Sequence, residues 1–277
     1  MCGFPLQVVH GVIGALKDDI SSLKQCSQVA RSWHSESRQW IFEAIVINSL
    51  EFRFDLVHAR FPNLLPGARD DEMAVLAFTH TRKWTAGCYA RTLRLVQCPW
   101  MWMQPRLLTH FSHHFSVFIN VTSLTIDTLD IYLFSQVELR VVFGHFFRTV
   151  TELALESPRS DPHDLVAFLR HFSGLENLTI SDPEWVEVRQ FLFHPRKASP
   201  LCKGRLDLIG LGRDSSPFVR LLSRLPLGFR QLSIIGCSLE GSEFDPLLDR
   251  LGESLRSLAV STWFRGTCLT WEDLEIP

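Results

Sequence analysis

Seven cysteines and eleven histidines are the residues here best suited to chemistry, as thiolate nucleophiles, general bases or metal ligands. The cysteines, Cys2, Cys26, Cys88, Cys98, Cys202, Cys237 and Cys268, are widely spaced, and no two form a C-x-x-C pair. None stands with a histidine in a local signature that would activate it, so in a reducing compartment most are expected to be small buried hydrophobes. His110, His113 and His114 with Cys98 come nearest to a metal cluster. The Cys88-x9-Cys98 spacing and the adjacent histidines do not reproduce a zinc finger, and solvated histidines on a helix face are expected instead. The chain carries no G-x-S-x-G, H-E-x-x-H, glycine-rich phosphate loop or dinucleotide fingerprint, and in LIGLGRDSS from Leu208 the glycine spacing fails. The expectation is a non-catalytic chain with no catalytic residues, no metal and no cofactor. An enzyme on an α/β sheet would instead need a concave pocket of convergent titratable groups.

Charge narrows the class of partner. Lys and Arg number 28 against 30 Asp and Glu, which leaves no field to draw the chain onto nucleic acid or an anionic membrane. Arg196 and Lys197 are too few for a nucleic-acid patch. No apolar run approaches the ~18 residues of a spanning helix, the start resembles no secretory signal, and no lipidation motif is visible. The expected location is cytoplasmic, nuclear or both, with a protein partner chosen by shape.

The elements that would position such a surface follow from a repeat. An apolar residue, two spacers and then Leu-x-apolar recur in VTSLTI from Val121, VTELAL from Val150, LENLTI from Leu175, FRQLSI from Phe229 and LRSLAV from Leu255. ARTLRL and KGRLDL are weaker copies. The anchoring leucines, Leu93, Leu124, Leu153, Leu178, Leu206, Leu232 and Leu258, are separated by 31, 29, 25, 28, 26 and 26 residues. A second apolar residue two positions on puts both side chains on one face of a strand.

Between strands the spacing turns helical. In DLVAFLRHF, Leu165, Phe168, Leu169 and Phe172 fall at i, i+3, i+4 and i+7. Similar stretches begin at Pro105, Ser135, Ser216 and Glu243, with Ser, Asp and Pro as plausible starts. One strand and helix cannot bury an apolar face alone, but stacked copies can. The unit lengths and the pattern Leu-x-x-Leu-x-Leu-x-x-Asn/Cys resemble leucine-rich repeats. Cys98 and Cys237 match the last position, whereas Leu129, Pro158, Pro183, Leu211 and Trp263 do not. Unrelated strands and helices of an α/β sheet are the plainer alternative. Trp100 and Trp102 are expected to cover the N-terminal end of the core.

The first fifty residues break the pattern and predict three short helices. Pro5 suits a helix start before Leu6, Val9, Ile13 and Leu16, and Asp18, Asp19 or Ser21 suits the cap of a second helix carrying Leu23, Cys26, Val29 or Ala30, and Trp33. A third runs through Trp40, Ile41 and Phe42 into the strand-like IVI at residues 45–47. FPLQV from Phe4, CSQVARSW from Cys26 and WIFEAI from Trp40 resemble, in order and spacing, the Leu-Pro-x-Glu-Leu, Cys-x-x-Val-x-x-x-Trp and Leu-Phe-x-x-Ile segments of an F-box. Phe4 and Gln7 depart from the usual leucine and glutamate. The resemblance implies a surface for a Skp-type adaptor in or above Pro5, Leu6, Val8, Ile13, Leu16, Val29 and Trp33, and through that adaptor a cullin complex. A helical cap on a repeat stack would use the same residues. An F-box followed by irregular repeats is similar to F-box proteins abundant in mushroom-forming fungi.

The expected fold is α/β, in three parts. Residues 1–47 form an F-box-like module of three helices, and residues 48–90 a linker and irregular cap in which Arg69 to Glu72 are solvated. Residues 91–277 form an irregular leucine-rich repeat solenoid with a parallel sheet on one face and helices on the other. Strand parity predicts a substrate-binding face of Arg94, Thr125, Asp127, Glu152, Glu156, Asn177, Thr179, Arg205, Asp207, Gln231 and Ser233. The expected role is a ubiquitin-ligase substrate adaptor, the alternative an interaction scaffold with no ligase link.

Overall fold

The computed structural model describes residues 5–29, 31–48, 87–96, 115–186, 201–226, 228–238, 241–251, 255–264 and 267–275. Cys2, Cys98, Trp100, Trp102, the helix expected from Pro105, His110, His113, His114, Arg196, Lys197 and all but Asn48 and the last four residues of the 48–90 linker lie outside them. The protein is a mixed α/β structure built on a mostly parallel sheet.

The strands are β1 (Ala44–Asn48), β2 (Thr92–Val96), β3 (Ser123–Asp127), β4 (Glu152–Glu156), β6 (Asn177–Ser181), β8 (Arg205–Ile209), β9 (Gln231–Cys237), β10 (Ser257–Phe264) and β11 (Thr267–Glu275). The two-residue strands β5 (Arg159–Ser160) and β7 (Glu184–Trp185) make a small separate sheet. In the large sheet the strands lie in chain order, each parallel to the next as far as β10, and β11 pairs antiparallel at the end.

Register turns the leucine spacing into two apolar rows. Leu93, Leu124, Leu153, Leu178, Leu206, Leu232 and Leu258 stand opposite one another on successive strands, and Leu95, Ile126, Leu155, Ile180, Leu208, Ile234 and Val260 form the second row. From β2 to β9 both rows are buried, each side chain contributing roughly 1.5–3 kcal/mol, whereas Leu258 and Val260 at the end of the parallel run are partly exposed.

The crossovers carry α4 (Gln136–Phe143), α5 (Pro162–Leu169), α6 (Ser216–Arg224) and α7 (Gly241–Leu251), whose apolar faces share one core with these rows. Local chemistry sets their starts. Ser135 and Glu138 form a capping box: Ser135 Oγ accepts from the Glu138 amide at 3.3 Å, and Glu138 Oε2 accepts from the Ser135 amide at 2.7 Å. Asp161 caps α5 by accepting from the His163 amide at 2.7 Å, with Pro162 as the first helical residue. Phe115, Phe143 and Phe168 from successive crossovers pack ring against ring at 6.2 and 5.5 Å.

In the large sheet, strands β3, β4, β6 and β8 are each followed directly by a residue with positive φ: Thr128 (57°), Ser157 (49°), Asp182 (47°) and Gly210 (64°). Gly236 (63°) stands in the same place near the end of β9. Their amides extend the ladder. Thr128 donates to the Glu156 carbonyl at 2.8 Å, Ser157 to Ser181 at 2.8 Å, Asp182 to Ile209 at 2.9 Å and Gly210 to Ile235 at 2.8 Å. The left-handed kink then turns the chain off the sheet, and at the Asn/Cys position of the repeat pattern the departing Leu129 and Leu211 and the matching Cys237 are all buried.

The chain begins with α1 (Leu6–Ala15), α2 (Ile20–Cys26) and α3 (Arg31–Ile41). Asp19 caps α2, accepting from the Ser22 amide at 3.1 Å. One expectation is corrected here. Trp33 does not continue the second helix: Ser27 Oγ donates to the Lys24 carbonyl at 2.7 Å, the chain turns over Ser27–Val29, and Trp33 lies on α3 with Trp40. After the helices, the strand-like segment at residues 45–47 lies within Ala44–Asn48, which joins the sheet, pairing Ile45 with Leu93 and Ile47 with Leu95.

Candidate functional site

Residues between the apolar rows point away from the core, and on β2 to β9 they are mostly polar. One open row runs Glu152, Asn177, Arg205, Gln231, and the next runs Arg94, Thr125, Ala154, Thr179, Asp207, Ser233. Asp127 and Glu156 stand opposite each other one row further along. Ten of the eleven residues expected on this face are exposed or partly exposed. Ser233 is the correction: it is 5% exposed, because its short side chain stands in register between Asp207 on β8 and Ala259 on β10.

Several of these charges are already matched. Arg94 Nη2 lies 2.6 Å from Glu156 Oε2, spanning β3. Arg205 Nε lies 2.7 Å from Asp207 Oδ1, and Thr179 Oγ1 donates to Asp207 Oδ2 at 3.4 Å. Asp127 Oδ1 accepts from Thr128 Oγ1 at 2.8 Å.

The structure gathers Glu152, Asn177, Thr179, Arg205 and Asp207 around a depression of about 330 Å³, with Ser123, Leu153 and Ala154 completing its wall. Asn177 also belongs to a second hollow of about 290 Å³, shared with Gly204, Arg230, Gln231 and Arg256. Parity on the strands missed Arg230 and Arg256, which stand one residue before β9 and β10. Their place directly after the leading apolar residues Phe229 and Leu255 was a visible signal.

The apolar residues of the first helices divide between two environments. Val9, Ile13 and Leu23 are buried in a core of their own, against which Leu16, Cys26, Trp33, Trp40 and Ile41 pack. Val8, Val12, Ile20 and Val29 are exposed, Val29 at 67%. Pro5 is exposed and its carbonyl accepts from the Val8 and Val9 amides at 2.9 and 3.2 Å, and Leu6 begins α1. The expected adaptor residues therefore include supports (Ile13, Leu16, Trp33) and exposed groups (Pro5, Val8, Val29).

Burial pushes the Cys202 thiol up to about 12, with Asp207 adding to it, and the Cys237 thiol up to about 11. Neither supplies a thiolate at neutral pH. Among the described residues no three His, Cys, Asp or Glu side chains are placed to share a metal ion. No described helix is long and apolar enough to cross a membrane.

Compared with family models and with curated proteins, the chain matches none.

Proposed function

We propose that the chain is a substrate-recognition adaptor of a Skp/cullin/F-box type ubiquitin ligase. In this reading residues 5–43 are the F-box-like module, and β1 onward is an irregular leucine-rich repeat solenoid whose open face takes a protein substrate. The chain contributes no chemistry of its own and works in the cytoplasm or nucleus.

The observation that carries the reading is the separate small core of α1–α3, which leaves Val8, Val12, Ile20 and Val29 in solvent. Side chains that hold no fold together, clustered on a small helical unit, suit a surface that another protein covers. The ordered rows of the sheet support the second half, since stacked units present a broad polar face without needing a pocket.

Co-expression with a Skp-type adaptor, followed by co-purification, tests it. The expected outcome is a stoichiometric complex that Val8→Glu with Val29→Glu dissolves while the chain still melts normally. A folded chain that forms no such complex, or one indifferent to replacement of Pro5 and Trp33, overturns the ligase role and leaves an interaction scaffold.

A further inference from the structure

The matched pairs on the open face leave a second set of charges unmatched. Glu152 and Glu176 are exposed and, among the described residues, have no cationic partner within ion-pair distance. Arg230 and Arg256 are exposed and likewise have no acidic partner. Glu152 lies on β4 and Glu176 directly precedes β6. Arg230 directly precedes β9 and Arg256 precedes β10, the Arg256 amide donating to the Arg230 carbonyl at 2.7 Å. One carboxylate, Glu152, thus marks one end of the joined depressions and two guanidiniums the other, with the Arg205–Asp207 pair neutralising the middle, while Glu176 lies outside both. Lys203 lines neither depression.

Distance keeps the ends independent. At roughly 4.8 Å per strand, β4 to β9 is about 14 Å and β4 to β10 about 19 Å. Both exceed the ~8 Å screening length of physiological salt, so Glu152 and the arginines do not satisfy one another across the face. A partner that bridges them meets each as a bare charge.

We propose that this face recognises an extended protein segment, lying across the strands, that carries a basic side chain and an acidic or phosphorylated side chain about four to six residues apart. The separation follows from ~3.3 Å per residue of extended chain. The basic group meets Glu152. The oxyanion meets Arg230 and Arg256, where planar guanidiniums favour carboxylate or phosphate geometry and Gln231 and Asn177 offer amide donors. Thr179 and Ala154 are small enough to let a backbone lie close between them. The proposal rests on the reading that the open face takes a protein.

Random 12-residue peptides displayed on phage and panned against the full chain test it. The enriched peptides are expected to pair Lys or Arg with Asp or Glu at that separation. A synthetic peptide of this kind should bind about tenfold more weakly to chain carrying Arg230→Glu and Arg256→Glu, and recover when its acid is replaced by lysine. Replacing the acid by phosphoserine distinguishes the two oxyanions by which binds more tightly. Circular dichroism melts of each variant check folding. Enriched peptides without this pattern, yet lost on Thr179→Arg, would overturn the charge inference while leaving the open face as a protein-binding surface. No enrichment at all overturns the charge inference, while the adaptor complex is judged by its own experiment.

Discussion

Arg94 on β2 and Glu156 on β4 are joined at 2.6 Å over the top of β3, where Thr125 is short enough to let the guanidinium pass. Both side chains are more than a third exposed, so solvent screens the pair and it contributes at most about 1 kcal/mol. Arg94→Ala is expected to leave the urea midpoint almost unchanged. A loss of several kcal/mol would show that the pair braces the sheet.

The central row behaves differently. Leu178 on β6 is 1% exposed and flanked in register by Leu153 and Leu206. Leu178→Ala is expected to cost about 2–5 kcal/mol, read from denaturant unfolding. Because the rows form one continuous core, fluorescence and circular dichroism should report the same midpoint.

Thr128 holds φ 57°, a region that a β-branched residue occupies only at a cost, whereas Gly210 holds 64° freely. Thr128→Gly is expected to raise stability by about 0.5–1 kcal/mol. Gly210→Ala is expected to lower it by about 1–2 kcal/mol, since a Cβ there would also overlap the Asp182 carboxylate. Thermal melts of the two variants should move in opposite directions.

Asp130 supplies the pH dependence. It is 1% exposed, its carboxylate oxygens accept no hydrogen bond from a described residue, and Arg159 Nη1 stands 3.8 Å away while Arg159 Nε pairs with Glu184 at 3.1 Å. Burial holds its carboxyl above the ordinary aspartate value of 3.8, Arg159 opposing and Glu184 reinforcing. A pKa raised on folding gives stability that is fully present below the unfolded value and is lost as pH rises through the folded one. Asp130→Asn should therefore stabilise the chain at pH 7 relative to wild type, with the gain shrinking as pH falls toward 4. Urea titrations across that window check it, and a constant difference would rule out this carboxyl as the source.

The strand rows were legible because Leu124, Leu153 and Leu178 repeat one local pattern at nearly one spacing, and period 2 fixes which side chains share a face. Ile45 and Ile47 obey the same parity and were read as strand-like, but without a leucine anchor and so far ahead of Leu93 in sequence they were left with the N-terminal module rather than joined to the sheet. The second helix was drawn through Trp33 because apolar spacing alone does not register a serine hydroxyl bonding back to Lys24. The left-handed turns at Thr128, Ser157 and Asp182 carried no glycine to betray them. On the open face, parity found the strand residues and passed over Arg230 and Arg256, which precede the strands. It also overstated Ser233, whose exposure depends on Asp207 and Ala259, residues of other units.

Strand order that follows chain order has a consequence for synthesis. When β6 leaves the ribosome its neighbour β4 is already made, and the same holds for each later parallel strand, so none waits for a distant segment still to be translated. The sheet can accrete from its N-terminal side, one parallel strand settling on the last, until β11 runs back against β10.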